Sequence, residues 1–160
     1  MKKKFIFLFF MFFAFYNVFA LEVTCQFEEV YMDGSHQQGV FFFDNNKLRY
    51  QYNNPQLYTL VYDNFELYAV QNNNTHVHQL VIDQHNIINS LKDISSDYPN
   101  FEKNYKFSNQ EVVVETNEKK NFIKRLIFKS ERLNLSIYFQ DCQFAKINPK
   151  LFSYKNFMSY

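Results

Sequence analysis

A chain of 160 residues, 47% hydrophobic and 21% aromatic, has enough apolar material to build one buried core. Its 17 Lys and Arg nearly balance its 16 Asp and Glu, which argues against a nucleic-acid partner, whose phosphates call for a clear basic excess. Its two cysteines allow one pairing and form no C-x-x-C redox motif.

The first segment reads as an address. Met1-Lys2-Lys3-Lys4 is basic, Phe5 to Phe15 carries no charge, and Tyr16-Asn17-Val18-Phe19-Ala20 places small residues before a cut after Ala20. The apolar run is about eleven residues, against the roughly 20 that a spanning helix needs. Glu22-Val23-Thr24 before Cys25 is not the small-residue tripeptide of lipoprotein processing. The expected division is therefore 1–20 as a cleaved signal peptide and 21–160 as a single β domain. Cleavage leaves 14 basic against 16 acidic residues, a net charge of −2. Export to an oxidising compartment predicts a Cys25–Cys142 bridge, whose long loop stabilises by about 4–5 kcal/mol in the chain-entropy model.

Short β-runs parted by turn residues dominate the rest of the chain. Leu21–Tyr31 reads as a strand, then a turn at Met32-Asp33-Gly34-Ser35, then Gly39–Phe43, and a turn at Asp44-Asn45-Asn46. Lys47–Tyr52 alternates, which puts Leu48, Tyr50 and Tyr52 on one face and Arg49 and Gln51 toward solvent. Leu57–Tyr62 and Phe65–Val70 flank a tight hairpin at Asp63-Asn64, and Thr75–Ile82 comes next. The period then changes. Ile87, Ile88 and Leu91 share one helical stripe, with Asp83 as N-cap, predicting a short helix over Asp83–Leu91. Strands resume at Asn104–Phe107, Glu111–Thr116, Phe122–Lys129, Leu133–Asp141 and Phe144–Ile147. The expected fold is mainly β: about ten antiparallel strands in neighbour-to-neighbour order, as a strongly curved sheet or incomplete β-barrel with a short helical lid. The narrow stripe suggests a weakly held, movable helix.

Catalytic chemistry is hard to place on this sequence. His76 and His78, with His85 nearby, could offer three nitrogens to a metal, but a closed site needs a fourth ligand. Two histidines in an Asn-rich hairpin are the simpler reading. Glu28 and Glu29, adjacent on a strand, point to opposite faces and form no dyad. No nucleophile elbow, His-Glu-x-x-His or phosphate-cradling loop occurs. The expectation is a non-enzyme with no metal and no cofactor. The informative feature is the aromatic load. Tyr50, Tyr52, Tyr58, Tyr62 and Tyr68 are expected to line a concave, mostly apolar surface, by default a ligand site.

Gly39–Val70 resembles the LolA family, periplasmic carriers of outer-membrane lipoproteins. The family shows a Gly-started strand, a turn with Arg-Pro, an alternating strand, a spaced Pro, and a hairpin centred on Asp-Gly. Similar residues here are Gly39–Phe43, Lys47-Leu48-Arg49-Tyr50-Gln51-Tyr52, Pro55, and Leu60-Val61-Tyr62-Asp63-Asn64-Phe65-Glu66-Leu67-Tyr68. The run Ile147-Asn148-Pro149-Lys150-Leu151-Phe152 is similar to the family's ending. Asp44-Asn45-Asn46 replaces the Arg-Pro turn, Asn64 replaces the hairpin Gly, and the N-terminal helix is missing. The resemblance implies an incomplete barrel whose cavity, under a helical lid, takes acyl chains. It places lipid binding at Phe41, Phe43, Leu48, Tyr50, Tyr52, Leu60, Tyr68, Ile87 and Leu91. The protein would then be a soluble periplasmic monomer that carries acyl chains of lipoproteins or other lipids. An inner-membrane ABC-type complex would load it and an outer-membrane acceptor would receive the cargo. The contrasting expectation is an exported structural or adhesive β-domain with a filled core.

Overall fold

The computed structural model describes residues 21–73, 76–80, 87–119, 122–131 and 133–157; the signal-peptide expectation lies outside them. Alternating inward and outward residues build β1 (Glu22–Tyr31), β2 (His36–Asp44) and β3 (Lys47–Tyr52). β4 (Tyr58–Asp63), β5 (Glu66–Gln71) and β6 (Val77–Leu80) follow, with β5 buried on both faces from Leu67 to Val70. After the helix α1 (Ile87–Ser96) come β7 (Asn104–Phe107), β8 (Gln110–Asn117), β9 (Phe122–Lys129) and β10 (Asn134–Phe144). The turns carry left-handed residues where tight reversal demands them: Gly34 at φ 79°, Asn45 at 53°, and both Asn64 and Phe65, at 49° and 66°. Asn adopts this conformation readily, whereas Phe65 holds it at a steric cost.

Among the described residues the ten strands form one antiparallel sheet in the order β6-β5-β4-β3-β2-β1-β10-β9-β8-β7, and the sheet is not closed. The expected neighbour-to-neighbour meander is present, with two additions. The first and last strands pair along β1–β10, and the break falls between β6 and β7, the strands joined through α1.

The expected disulfide joins Cys25 of β1 to Cys142 of β10 across 117 residues. The register explains how. Thr24 opposes Gln143 and Gln26 opposes Gln140, so Asp141 and Cys142 together oppose Cys25. Before this bulge the inward residues of β10 are Leu135, Ile137 and Phe139. The extra residue, with Asp141 at φ 48°, flips the alternation and turns Cys142 onto the inner face. β10 thus carries the expected strand Leu133–Asp141 on through the bulge to Phe144, and the separate strand expected at Phe144–Ile147 does not form, since 145–148 are irregular.

The helix departs from expectation as well. It runs to Ser96, not Leu91, while residues 83–86 lie outside the described ones. Ile94 lengthens the apolar stripe, and Ile88, Leu91 and Ile94 are at most 1% exposed inside the core cluster. That stripe holds the helix more firmly than two turns would. Two helix serines are hydrogen-bonded: Ser96 Oγ donates to the Lys92 carbonyl, and Ser90 Oγ accepts from Gln110 Nε2 at 2.7 Å. Pro99 lies just beyond the helix.

Candidate functional site

The inner face is built in rows across the paired strands. One row runs Val23, Phe43, Leu48, Tyr62, Leu67 and Leu80; the next runs Cys25, Phe41, Tyr50, Leu60 and Ala69. The third runs Phe27, Gly39 and Tyr52. Gly39 is needed where it stands. A Cβ there would strike the Gln51 carbonyl oxygen and lie 2.5 Å from the Phe27 ring. The Phe27 ring uses that space to stack on Tyr50 at 3.9 Å and to meet Tyr52 edge-on at 5.6 Å.

The stacking aims both tyrosine hydroxyls at one group on β1. Glu29 follows Val23, Cys25 and Phe27 in the inward alternation and is 0% exposed. Its carboxylate accepts hydrogen bonds from Tyr50 at 2.9 Å, from Tyr52 at 3.0 Å and from Tyr31 at 2.6 Å. Burial first, and then the Glu29 charge and hydrogen bonds, push the Tyr31, Tyr50 and Tyr52 hydroxyls far above their ordinary pKa. They stay protonated as donors. Beside this cluster opens a pocket of about 450 Å³, lined by Tyr31, Ser35, Gln37, Tyr52, Leu57, Tyr58 and Leu60.

The nine residues assigned to lipid binding divide into three groups. Phe41, Phe43, Leu48, Tyr50 and Leu91 are 0–1% exposed, which leaves no water-sized space against them. They fill the core on one another and on Phe139 and Phe122. Tyr52, Leu60 and Ile87 are half-buried against that cluster, and the first two line the pocket. Tyr68 must be corrected, because it does not share the concave face. The two-residue hairpin pairs Tyr62 with Leu67 and Val61 with Tyr68, so the inward residues of β5 are Leu67 and Ala69. Tyr68 lies on the outer face, where its hydroxyl donates to Glu66 and its ring stacks on Tyr154 at 4.0 Å.

Arg49 also departs from expectation. It is on the outer face with Gln51, as its alternation requires, yet it is only 8% exposed. The C-terminal turns Pro149–Phe152 and Tyr154–Phe157 cover this side of β3 to β5. Arg49 Nη1 donates to the Leu151 carbonyl at 3.0 Å, and burial lowers its pKa to about 10. His76 precedes β6 and His78 lies on it, whereas His85 is outside the described residues. No group of three metal-ligating side chains occurs among the described residues.

Sequence reasoning set Glu29 aside after showing that Glu28 points the other way. The signal that could have found it was the inward parity from Val23 to Glu29, which puts a carboxylate in an apolar row.

No protein-family model matches the chain, and no curated protein does. Among solved structures it is similar to the LolA superfamily protein NE2245 from Nitrosomonas europaea. That likeness has 9% identity and a TM-score of 0.40, and covers 84% of this chain and 90% of that one. At those values it is a likeness of fold only.

Proposed function

We propose that the protein is an exported carrier that shields an acyl chain of a lipoprotein, or of another lipid, against the aromatic inner face of its sheet. The observation that carries this reading is the seam. The sheet is hydrogen-bonded throughout except between β6 and β7, and a ten-residue helix between those strands inserts Ile88, Leu91 and Ile94 into the core. Lifting one helix exposes a continuous wall that includes Phe41, Phe43, Leu48 and Tyr50, with Leu60 and Tyr52 at its rim. An acyl chain taking the place of the helix gains about 0.8 kcal/mol for each buried CH₂. Binding of this kind is a competition between two occupants for one surface. Loading in the periplasm from an inner-membrane complex and delivery to an outer-membrane acceptor complete the proposal.

The test is a disulfide engineered between α1 and β3, with a fluorescent fatty acid as probe. Binding should fall at least tenfold in the oxidised, locked protein and return on selective reduction of that bond. Equal binding in both states overturns the carrier reading. Phe41, Phe43, Leu48 and Tyr50, fully buried on the inner face, favour a second reading, a structural β-domain whose core is already full. Absence of fatty-acid binding even in the unlocked protein is its expected outcome.

A further inference from the structure

One end of the inner face carries chemistry that shielding a hydrocarbon does not require. Glu29 is wholly buried, and removing a carboxylate from water costs several kcal/mol per ion unless it is compensated. Among the described residues the ion pairs are Lys47–Asp63, Lys92–Asp93 and Arg125–Glu115, and none involves Glu29. Three phenols supply the compensation instead. Because Tyr31 and Tyr52 commit their protons to Glu29, their oxygens retain only acceptor capacity for anything that enters the adjoining pocket. The carboxylate behind them polarises both and gives the pocket a negative field.

The pocket walls sharpen the choice of ligand. Its volume of about 450 Å³ suits a small molecule, and its lining comprises three tyrosines, two leucines, Ser35 and Gln37, with no Lys, Arg or His. An anion would meet no counter-charge and the field of Glu29. A plain hydrocarbon would leave the acceptor capacity of these phenol oxygens unused. A positively charged nitrogen satisfies both conditions: it can donate to the phenol oxygens or rest against tyrosine faces, where cations are attracted.

We infer that the pocket formed by Tyr31, Tyr52 and Tyr58 beside Glu29 binds an organic ammonium group, with the ligand's aliphatic part on Leu57 and Leu60. A free amine and the ammonium headgroup of a lipid present the same chemistry. The pocket shares Tyr52 and Leu60 with the rim of the acyl wall but stands open with α1 in place, so its ligand is tested on the chain without fatty acid.

Calorimetric titration of the mature chain with n-hexylammonium, choline, n-hexanoate and n-hexanol tests the assignment. Hexylammonium or choline should bind at least tenfold more tightly than the acid and the alcohol. Glu29→Gln should weaken that binding at least tenfold. If this buried substitution prevents folding, Tyr58→Leu at a partly exposed wall should weaken it at least threefold. Co-sedimentation separates the sources. Retention by phosphatidylethanolamine vesicles, but not by phosphatidylglycerol vesicles, identifies a headgroup site. Binding of hexylammonium or choline without vesicle retention identifies a free-amine site. Failure of both cations to bind more tightly than hexanoate overturns the inference.

Discussion

The sheet has two seams, and they are made in opposite ways. At β1–β10 two long strands from the chain ends pair over most of their length and are joined by Cys25–Cys142. At β6–β7 two strands of four residues each stop short of each other. The helix α1, which lies between them in the chain, packs against β3 and buries Ile88, Leu91 and Ile94 in the core. Covalent and backbone bonds hold the first seam, whereas β6 and β7 are unpaired and α1 is held by side-chain burial and the Gln110–Ser90 hydrogen bond. Motion of the sheet should therefore concentrate at the helix, since regions held by few backbone bonds open at the lowest free-energy cost.

The largest effect should come from unfastening the strong seam. Replacing both cysteines with serine should lower stability by about 4–5 kcal/mol, the chain-entropy value for so long a loop. Urea unfolding of the oxidised parent and the double variant measures it. A loss under about 1 kcal/mol would mean that the strand ladder alone holds that side. The weaker seam should give a smaller effect. Leu91→Ala leaves a cavity in a fully buried position, for about 2–4 kcal/mol if the helix unfolds with the whole sheet. If α1 opens on its own, the global loss shrinks while amide exchange in 87–96 accelerates. The smallest effect concerns the open edge. Lys106 is exposed on β7, where a charge discourages pairing with another molecule. Lys106→Val should change stability by less than about 0.5 kcal/mol yet produce concentration-dependent association in sedimentation.

Much of this architecture was legible in the residues. The alternation Leu48, Tyr50, Tyr52, the Asn-rich turns and the bridge of Cys25 with Cys142 arise from local periods and from cysteine number. The bridge brought the segments of β1 and β10 together, but their register and the bulge at Asp141 were not legible, because no local pattern encodes pairing between strands so far apart. The end of α1 was missed because Lys92-Asp93 and Ser95-Ser96 look like a polar connection, although Ile94 continues the stripe. Tyr68 was misassigned by residue kind, when the parity change of a two-residue hairpin would have sent it outward. Glu29 was discounted as half of a dyad, when its own parity pointed to the partners that matter.

The strong seam is also the last one that synthesis can complete. Cys25 leaves the ribosome 117 residues ahead of Cys142, and until β10 arrives one margin of the ten-residue β1 has no neighbour. In the finished molecule the bare margins are short strands, whereas in the growing chain the bare margin is long, apolar on one face and armed with a thiol. A second growing copy offers the same strand and the same thiol. Where chains that have not yet docked β10 meet in an oxidising compartment, they should therefore cross-link through Cys25, a hazard that the completed fold no longer carries.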